Sequence, residues 1–175
     1  MKPLAIIGLG PETHDDAPWE DETWERWGLA NDAYAPRCHF VFEIHDDPGL
    51  VAGQTLRLQE IGIPVYLNKS IMSVPMSLTY PVDEVASLVD DYFGSSIAYM
   101  LALAIWQGRE RTDLFGVDLS EDIYDHHRPN LEYLIGFARG RGMTVNVPPG
   151  SRLLSFDSSK FDTHYPVRYG YTEAA

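Results

Sequence analysis

The sequence predicts an α/β fold of Rossmann-like type, a mainly parallel sheet of about six strands with helices on both faces. Three observations carry that prediction. Short apolar runs alternate with helix-length apolar segments; the first run, Leu4 to Ile7, breaks into Gly8-Leu9-Gly10-Pro11; and an apolar helix headed by Gly94-Ser95-Ser96 leads into a second strand-then-turn, Gly116-Val117-Asp118-Leu119. Strands without polar alternation belong to parallel sheets covered on both faces. Alternating strands and helices joined by short connections give right-handed crossovers in one sheet.

Each element has its own justification. Leu4 to Ile7 is the first strand, and the runs Trp24 to Ala30 and His39 to Ile44 follow, ending in the polar pairs Asn31-Asp32 and His45-Asp46. Pro48 suits a first helical position, Leu50, Val51, Leu56, Leu58 and Ile61 supply an apolar face, and Gly62 supplies the stop. Ile63 to Leu67 is the fourth strand. Residues 68–81 have no period and contain Pro75 and Pro81, so a mobile loop or lid is expected there. A short helix is expected over 82–89. Ser95 to Gln107 is apolar on every side, as in a helix packed in the core, with Gly108 as its stop. Thr112 to Val117 is the fifth strand. Arg128 to Gly140 is a helix with Leu131, Leu134, Ile135 and Ala138 on one stripe, and Met143 to Val147 is the sixth strand. The expected division is a nucleotide-binding domain over 1–155 and a C-terminal tail, 156–175, packed on the domain or on a partner.

Composition narrows the function classes. At 175 residues, with 45% hydrophobic and 22% charged side chains, the chain has the make-up of one globular domain. A formal charge of −13 repels phosphate backbones, so nucleic acid is not an expected partner. The single cysteine, Cys38, offers neither a disulfide nor a thiolate metal site, which fits a reducing compartment. The apolar start from Pro3 to Gly8 is too short for a signal peptide or a membrane span. The expectation is a soluble, cytoplasmic protein, with homo-oligomerisation left open.

Ligands of open α/β sheets lie beyond the carboxyl ends of the strands, where strand order reverses. The expected site is therefore lined by Gly8 to Glu12, Asn31 and Asp32, His45 and Asp46, and Asp118 with its followers. Two glycines after a buried strand let backbone N–H groups approach a phosphate or carboxylate, or they form a plain turn. Thr13 stands where the dinucleotide fingerprint has its third glycine. Gly94, Ser95 and Ser96 at a helix N-terminus make an anion cradle or a simple cap. The run from Asp118 to Arg128, with Glu121, Asp122, Asp125, His126 and His127, could supply a general base, carboxylates for a divalent cation such as magnesium, or a solvated acidic loop. Adjacent histidines point to different sides, so one of the pair is expected to face the crevice. The other histidines, His14, His39, His45 and His164, have no metal-ligand spacing. Trp19, Trp24 and Trp27 are expected in packing, and Cys38 is expected to be inert.

Taken in order, Gly8-x-Gly10-Pro11, Asn31-Asp32-Ala33-Tyr34, Gly94-Ser95-Ser96, Gly116-Val117-Asp118 and Gly150-Ser151 resemble the layout of the small bacterial sialyltransferases. The same layout is similar to that of their relatives, the archaeal-type hydroxymethylpterin diphosphokinase domain and the motility accessory glycosyltransferases. The resemblance covers about residues 4 to 155. It implies a nucleotide or nucleotide-sugar donor held by Gly8, Gly10, Asn31, Ser95 and Ser96, with a base at His126 or His127 by position. Leu9 and Glu12 depart from the family, which often has Asn and Ser there; Glu12 adds a negative charge beside the expected phosphate. The expected function is transfer from a nucleotide-activated donor, glycosyl first and diphosphate second. The alternatives are a non-catalytic module that binds or sequesters a nucleotide-derived ligand, and an NAD-dependent oxidoreductase in which Asp32 binds ribose hydroxyls.

Overall fold

A strand with no polar alternate cannot turn either face to water, so the apolar run at the start of the chain has to lie mid-sheet. The structure, a computed structural model, describes residues 1–45, 54–117, 119 and 127–154. In chain order its elements are β1 (Leu4–Ile7), β2 (Glu25–Leu29), β3 (Phe40–Glu43), α1 (Gln54–Glu60), β4 (Val65–Leu67), β5 (Ser77–Thr79), α2 (Val82–Val89), α3 (Ser96–Trp106), β6 (Arg111–Phe115), α4 (Arg128–Gly140) and β7 (Thr144–Asn146), with a 3-10 turn at Ala35–Arg37. All four residues of β1 are buried.

The sheet is parallel throughout, in the order β5-β4-β3-β2-β1-β6-β7. Ile7 pairs with Gly28 on one side and with Phe115 on the other, so β1, β2 and β6 end level. From β1 the chain steps outward to β5, and α3 then returns it to the far side of β1 for β6 and β7. Strand order therefore reverses between β1 and β6, which opens a crevice at that point.

Alternate residues of β1 serve two cores. Leu4 and Ile6 join Trp27, Phe42 and the buried faces of α2, α3 and α4. Helix α3 has buried residues all round, from Ile97 and Ala98 through Met100 to Ile105, as its unbroken apolar sequence requires. Ala5 and Ile7 meet Ala17, with Trp19, Trp24 and Phe115 around them. Further along that face Val41, Val65 and Leu67 pack with Leu58 of α1. Among the described residues this second face is thus covered by one short helix and by the turns of residues 11–24.

The seventh strand, β5, falls within the segment expected to be an irregular loop. Among the described residues it is a three-residue edge strand paired only with β4 and with no fully buried residue, so it carries no apolar period. The Ser77 hydroxyl accepts the Ile71 N–H at 2.9 Å, and the buried Tyr80 donates its hydroxyl to the Tyr99 carbonyl at 2.9 Å. The first bond closes residues 71–77 on themselves, and the second fastens the end of the segment to α3. The start of the helix expected from Pro48, and the tail at 156–175, lie outside the described residues. Cys38 is buried, and burial, aided by Asp32, pushes its thiol pKa up to about 12. A thiol held protonated in this way is a poor nucleophile.

Candidate functional site

The chain leaving β1 must pass the chain leaving β6 at very short range. A Cβ on Gly8 would lie 2.4 Å from the Gly116 carbonyl oxygen, and one on Gly116, at φ +59°, would lie 2.5 Å from the Gly8 oxygen. The N–H groups of Gly8 and Gly10 donate to the carbonyls of Phe115 and Gly116, each at 2.8 Å. These amides hold the two strand ends together. What the glycines present to the crevice is bare backbone.

Thr13, where a third glycine was sought, is buried, and its hydroxyl accepts the Gly116 N–H at 2.8 Å. No helix opens here, because residues 11–24 form successive turns. A glycine that lets a helix pack on β1 therefore has no task.

The helix N-terminus at the crevice belongs to α3. Ser95 is its N-cap and accepts the Ala98 N–H at 3.3 Å. The Gly94 N–H donates to Oδ1 of the fully buried Asn130 at 2.9 Å, which ties the start of α3 to α4. The amides of Ser96 and Ile97 lie in the first turn, where no intrahelical acceptor exists and the helix dipole is positive.

These pieces surround a cavity of about 680 Å³, within the size range of small-molecule sites. It is lined by Gly8 to Glu12, Leu29, Asn31, Phe42 to His45, Phe93 to Ile97, Tyr99, Gly116, Val117, Leu119 and His127. Of the residues singled out from sequence, the fold brings Gly8, Gly10, Asn31, Gly94, Ser95, Ser96 and His127 to this one cavity. Asp118 and His126 lie outside the described residues.

Asp32 is not part of the lining. One carboxylate oxygen accepts the Tyr34 N–H at 2.9 Å in an Asx turn, and the other is 3.0 Å from Nε2 of His14. Residues that sequence reasoning missed are Glu43, a single acid inside an apolar strand, and the paired rings of Phe93 and Tyr99, 4.8 Å apart. Phe93 had a weak signal as the neighbour of Gly94; Glu43 had none beyond its place before the strand end at His45.

His14 joins the β1 loop to the β2 loop. Its Nδ1 is 3.0 Å from Asp15, its Nε2 is 3.0 Å from Asp32, and its ring lies against Trp19 and Tyr34 at 5.3 and 5.2 Å. Burial lowers its pKa, but the hydrogen bonds to Asp15 and Asp32 and their charges outweigh burial and raise it above 6.5. A histidine whose folded pKa is raised gives stability that is fully present below its unfolded pKa, about 6.5, and lost as pH rises through the folded value. The gap in Tm between the unmodified protein and His14→Gln should therefore be widest below about pH 6.5 and should shrink in alkali. Thermal melts at a series of pH values check this, and a gap that widens with pH would refute the assignment.

Among the described residues no group of three His, Cys, Asp or Glu side chains is placed to hold a metal ion. No helix among them is long and apolar enough to cross a membrane.

A parallel sheet with a reversal at β1 and β6, a glycine turn and a helix N-terminus around one cavity defines a Rossmann-like α/β protein. No protein-family model matches the chain, and no curated protein matches it by sequence. Two solved structures of the sialyltransferase CstII from Campylobacter jejuni share its fold. The complex with the substrate analogue cytidine-5'-monophosphate superposes with a TM-score of 0.57, and the complex with CMP-3FNeuAc with 0.61. Each is 18% identical to this chain over 89% of it and 84% of the other protein. The sialyltransferase part of the resemblance is thus supported at the level of fold; these structures give the hydroxymethylpterin diphosphokinase part no support.

Proposed function

We propose that the protein is a transferase acting from a nucleotide-activated donor, with glycosyl transfer as its reaction. The observation that carries this reading is the meeting of the β1 glycine turn, Asn31 and the N-terminus of α3 in one cavity at the strand-order reversal. In this reading the donor phosphate lies on the amides of Ser96 and Ile97, with Ser95 and Gly94 framing them. Gly8 and Gly10 provide the close backbone floor, and Asn31 provides a neutral hydrogen-bonding group. His127 takes a proton from the acceptor hydroxyl, and Asp118 and His126 belong to the same candidate set by sequence position. The two sialyltransferase structures, bound to CMP and to a CMP-sugar analogue, favour a nucleotide-sugar donor over a dinucleotide. The turns at 11–24 also weigh against NAD, whose pyrophosphate sits on a helix that follows the first strand.

The test is a thermal-shift and calorimetric panel of cytidine, uridine, adenine and nicotinamide nucleotides, with and without magnesium. A nucleotide present at a hundred times its Kd should stabilise the fold by about 2.7 kcal/mol, which is about 5–10 °C in Tm for a chain of this size. Gly10→Val should abolish that shift, because a branched side chain would block the approach to the floor. A folded Gly10→Val protein with unchanged affinity would remove the glycine turn from the site. Binding without turnover of any nucleotide-activated donor would establish the non-catalytic alternative.

A further inference from the structure

Two chemistries divide the cavity. Where β1 and β6 end beside the start of α3, its lining is backbone and hydroxyl, from Gly8, Gly10, Gly94, Ser95 and Ser96. Toward β2 and β3, on the α3 face of the sheet, its lining is Leu29, Phe42, Ile44, Phe93, Ile97 and Tyr99, which all belong to or pack against one core. A ligand group with hydroxyls on its faces would set them against that wall without partners.

Phe93 stands at the boundary between the two. It directly precedes Gly94 and is half-buried, so part of its ring stays open where it borders the cavity. Tyr99 lies one turn beyond Ser96 on the same face of α3. Its ring meets that of Phe93 at 4.8 Å with 31° between the planes, and it meets the buried ring of Tyr80 edge-on at 4.9 Å. The Tyr80 hydroxyl also holds the Tyr99 carbonyl, at 2.9 Å. Phe93 thus rests on a ring that is itself braced. The chain carrying it is tied to α4 at both ends, by the Tyr133 hydroxyl donating to Asp90 at 2.8 Å and by the Gly94 N–H donating to Asn130 at 2.9 Å. A ring fixed in this way loses little freedom when a ligand covers it.

We propose that Phe93 is the stacking surface for the nucleobase of the donor. The proposal rests on the donor reading given above. With phosphate on the amides of Ser96 and Ile97, only the ribose separates it from the base, a span comparable with one helical turn, about 5 Å. The aromatic wall begins within that reach, at the residue before Gly94. A base keeps its polar atoms at its edge and offers a flat π face, so it covers the ring without burying an unmatched hydroxyl. Every base has such a face, so the ring adds affinity without choosing among bases.

Calorimetry on the full chain separates the base from the rest of the nucleotide. Ribose 5-phosphate has the sugar and phosphate of CMP, UMP and AMP but no base. The tightest of the three nucleotides should bind about ten- to a hundredfold more tightly than ribose 5-phosphate. Phe93→Leu keeps an apolar side chain without a ring, and it should remove most of that difference by weakening the nucleotide while leaving ribose 5-phosphate unchanged. Phe93→Trp should preserve the difference, and its added indole emission should fall on binding nucleotide but not on binding ribose 5-phosphate. Equal binding of nucleotide and ribose 5-phosphate by the unmodified protein overturns the proposal, and so does a folded Phe93→Leu protein that weakens both ligands alike or neither. Should Phe93→Leu fail to fold, Phe93→Trp decides, since emission unchanged by bound nucleotide overturns the proposal as well. If neither the nucleotides nor ribose 5-phosphate bind, the donor reading itself falls and the stacking surface falls with it.

Discussion

Gly116→Ala is expected to destabilise the protein by about 3 kcal/mol or more, from left-handed backbone strain and overpacking together. The residue has φ +59°, and its added Cβ would lie 2.5 Å from the Gly8 carbonyl oxygen, 2.9 Å from the Gly8 carbonyl carbon and 3.2 Å from the Gly10 oxygen. All three are backbone atoms, so no side-chain rotation relieves the clash. Relief requires the β1 and β6 ends to separate, which breaks the bonds from Gly8 to Phe115, Gly10 to Gly116 and Gly116 to Thr13. Gly8→Ala should behave alike, since its Cβ would meet the Gly116 oxygen at 2.4 Å. Urea denaturation should show the loss, and melts should show a fall of about 10 °C. Gly136→Ala is the control. Gly136 lies within α4 with nothing within 4 Å of its added Cβ, so alanine should leave stability unchanged or raise it by up to about 1 kcal/mol. A Gly116→Ala protein as stable as the unmodified one would mean that the two chains do not cross as described.

His127→Ala should lower kcat on the donor identified by the nucleotide panel by about a hundredfold to ten-thousandfold while leaving nucleotide affinity nearly intact. His127 immediately precedes α4 and lines the cavity. Its Cα would be 3.5 Å from a Cβ built on Gly94, which sets it beside the N-terminus of α3 where donor phosphate is proposed. A base in that place assists only the step in which the acceptor hydroxyl loses its proton, so its loss belongs in kcat. His126→Ala is the matched comparison, and one of the two histidines should be dispensable. Full turnover in both variants would refute the assignment of a histidine base here. A rise in Kd at unchanged kcat for His127→Ala would make it a binding residue.

The parts of this fold legible in the sequence are those fixed by local pattern. The unbroken apolar run at Leu4 to Ile7 demanded a buried parallel strand, the all-round apolar segment after Ser95 demanded a buried helix, and the stripe from Leu131 to Ala138 demanded a half-buried one. α2 and α4 have the expected bounds. The strand-end rule also placed the crevice, because a parallel sheet aims the carboxyl end of each strand to one side. β5 escaped, since a three-residue edge strand buries too little to leave a period.

The sequence by itself therefore determined the doubly wound architecture, the glycine turn, the helix N-terminus and the side of the sheet on which they meet. All of these follow from periodicity and chain chemistry within a few residues. Tertiary structure alone decided how the groups are used. The Gly8 and Gly10 amides bond across to β6, and the Thr13 hydroxyl bonds to Gly116, 103 residues away in sequence. Asp32 turned to His14, and Glu43 came to the cavity beside His45. The physical reason is common to the first three, whereas Glu43 and His45 are only two residues apart in sequence. A polar group taken from water bonds to whatever the fold brings within about 3 Å, and that neighbour is chosen by long-range pairing that no local stretch of sequence encodes.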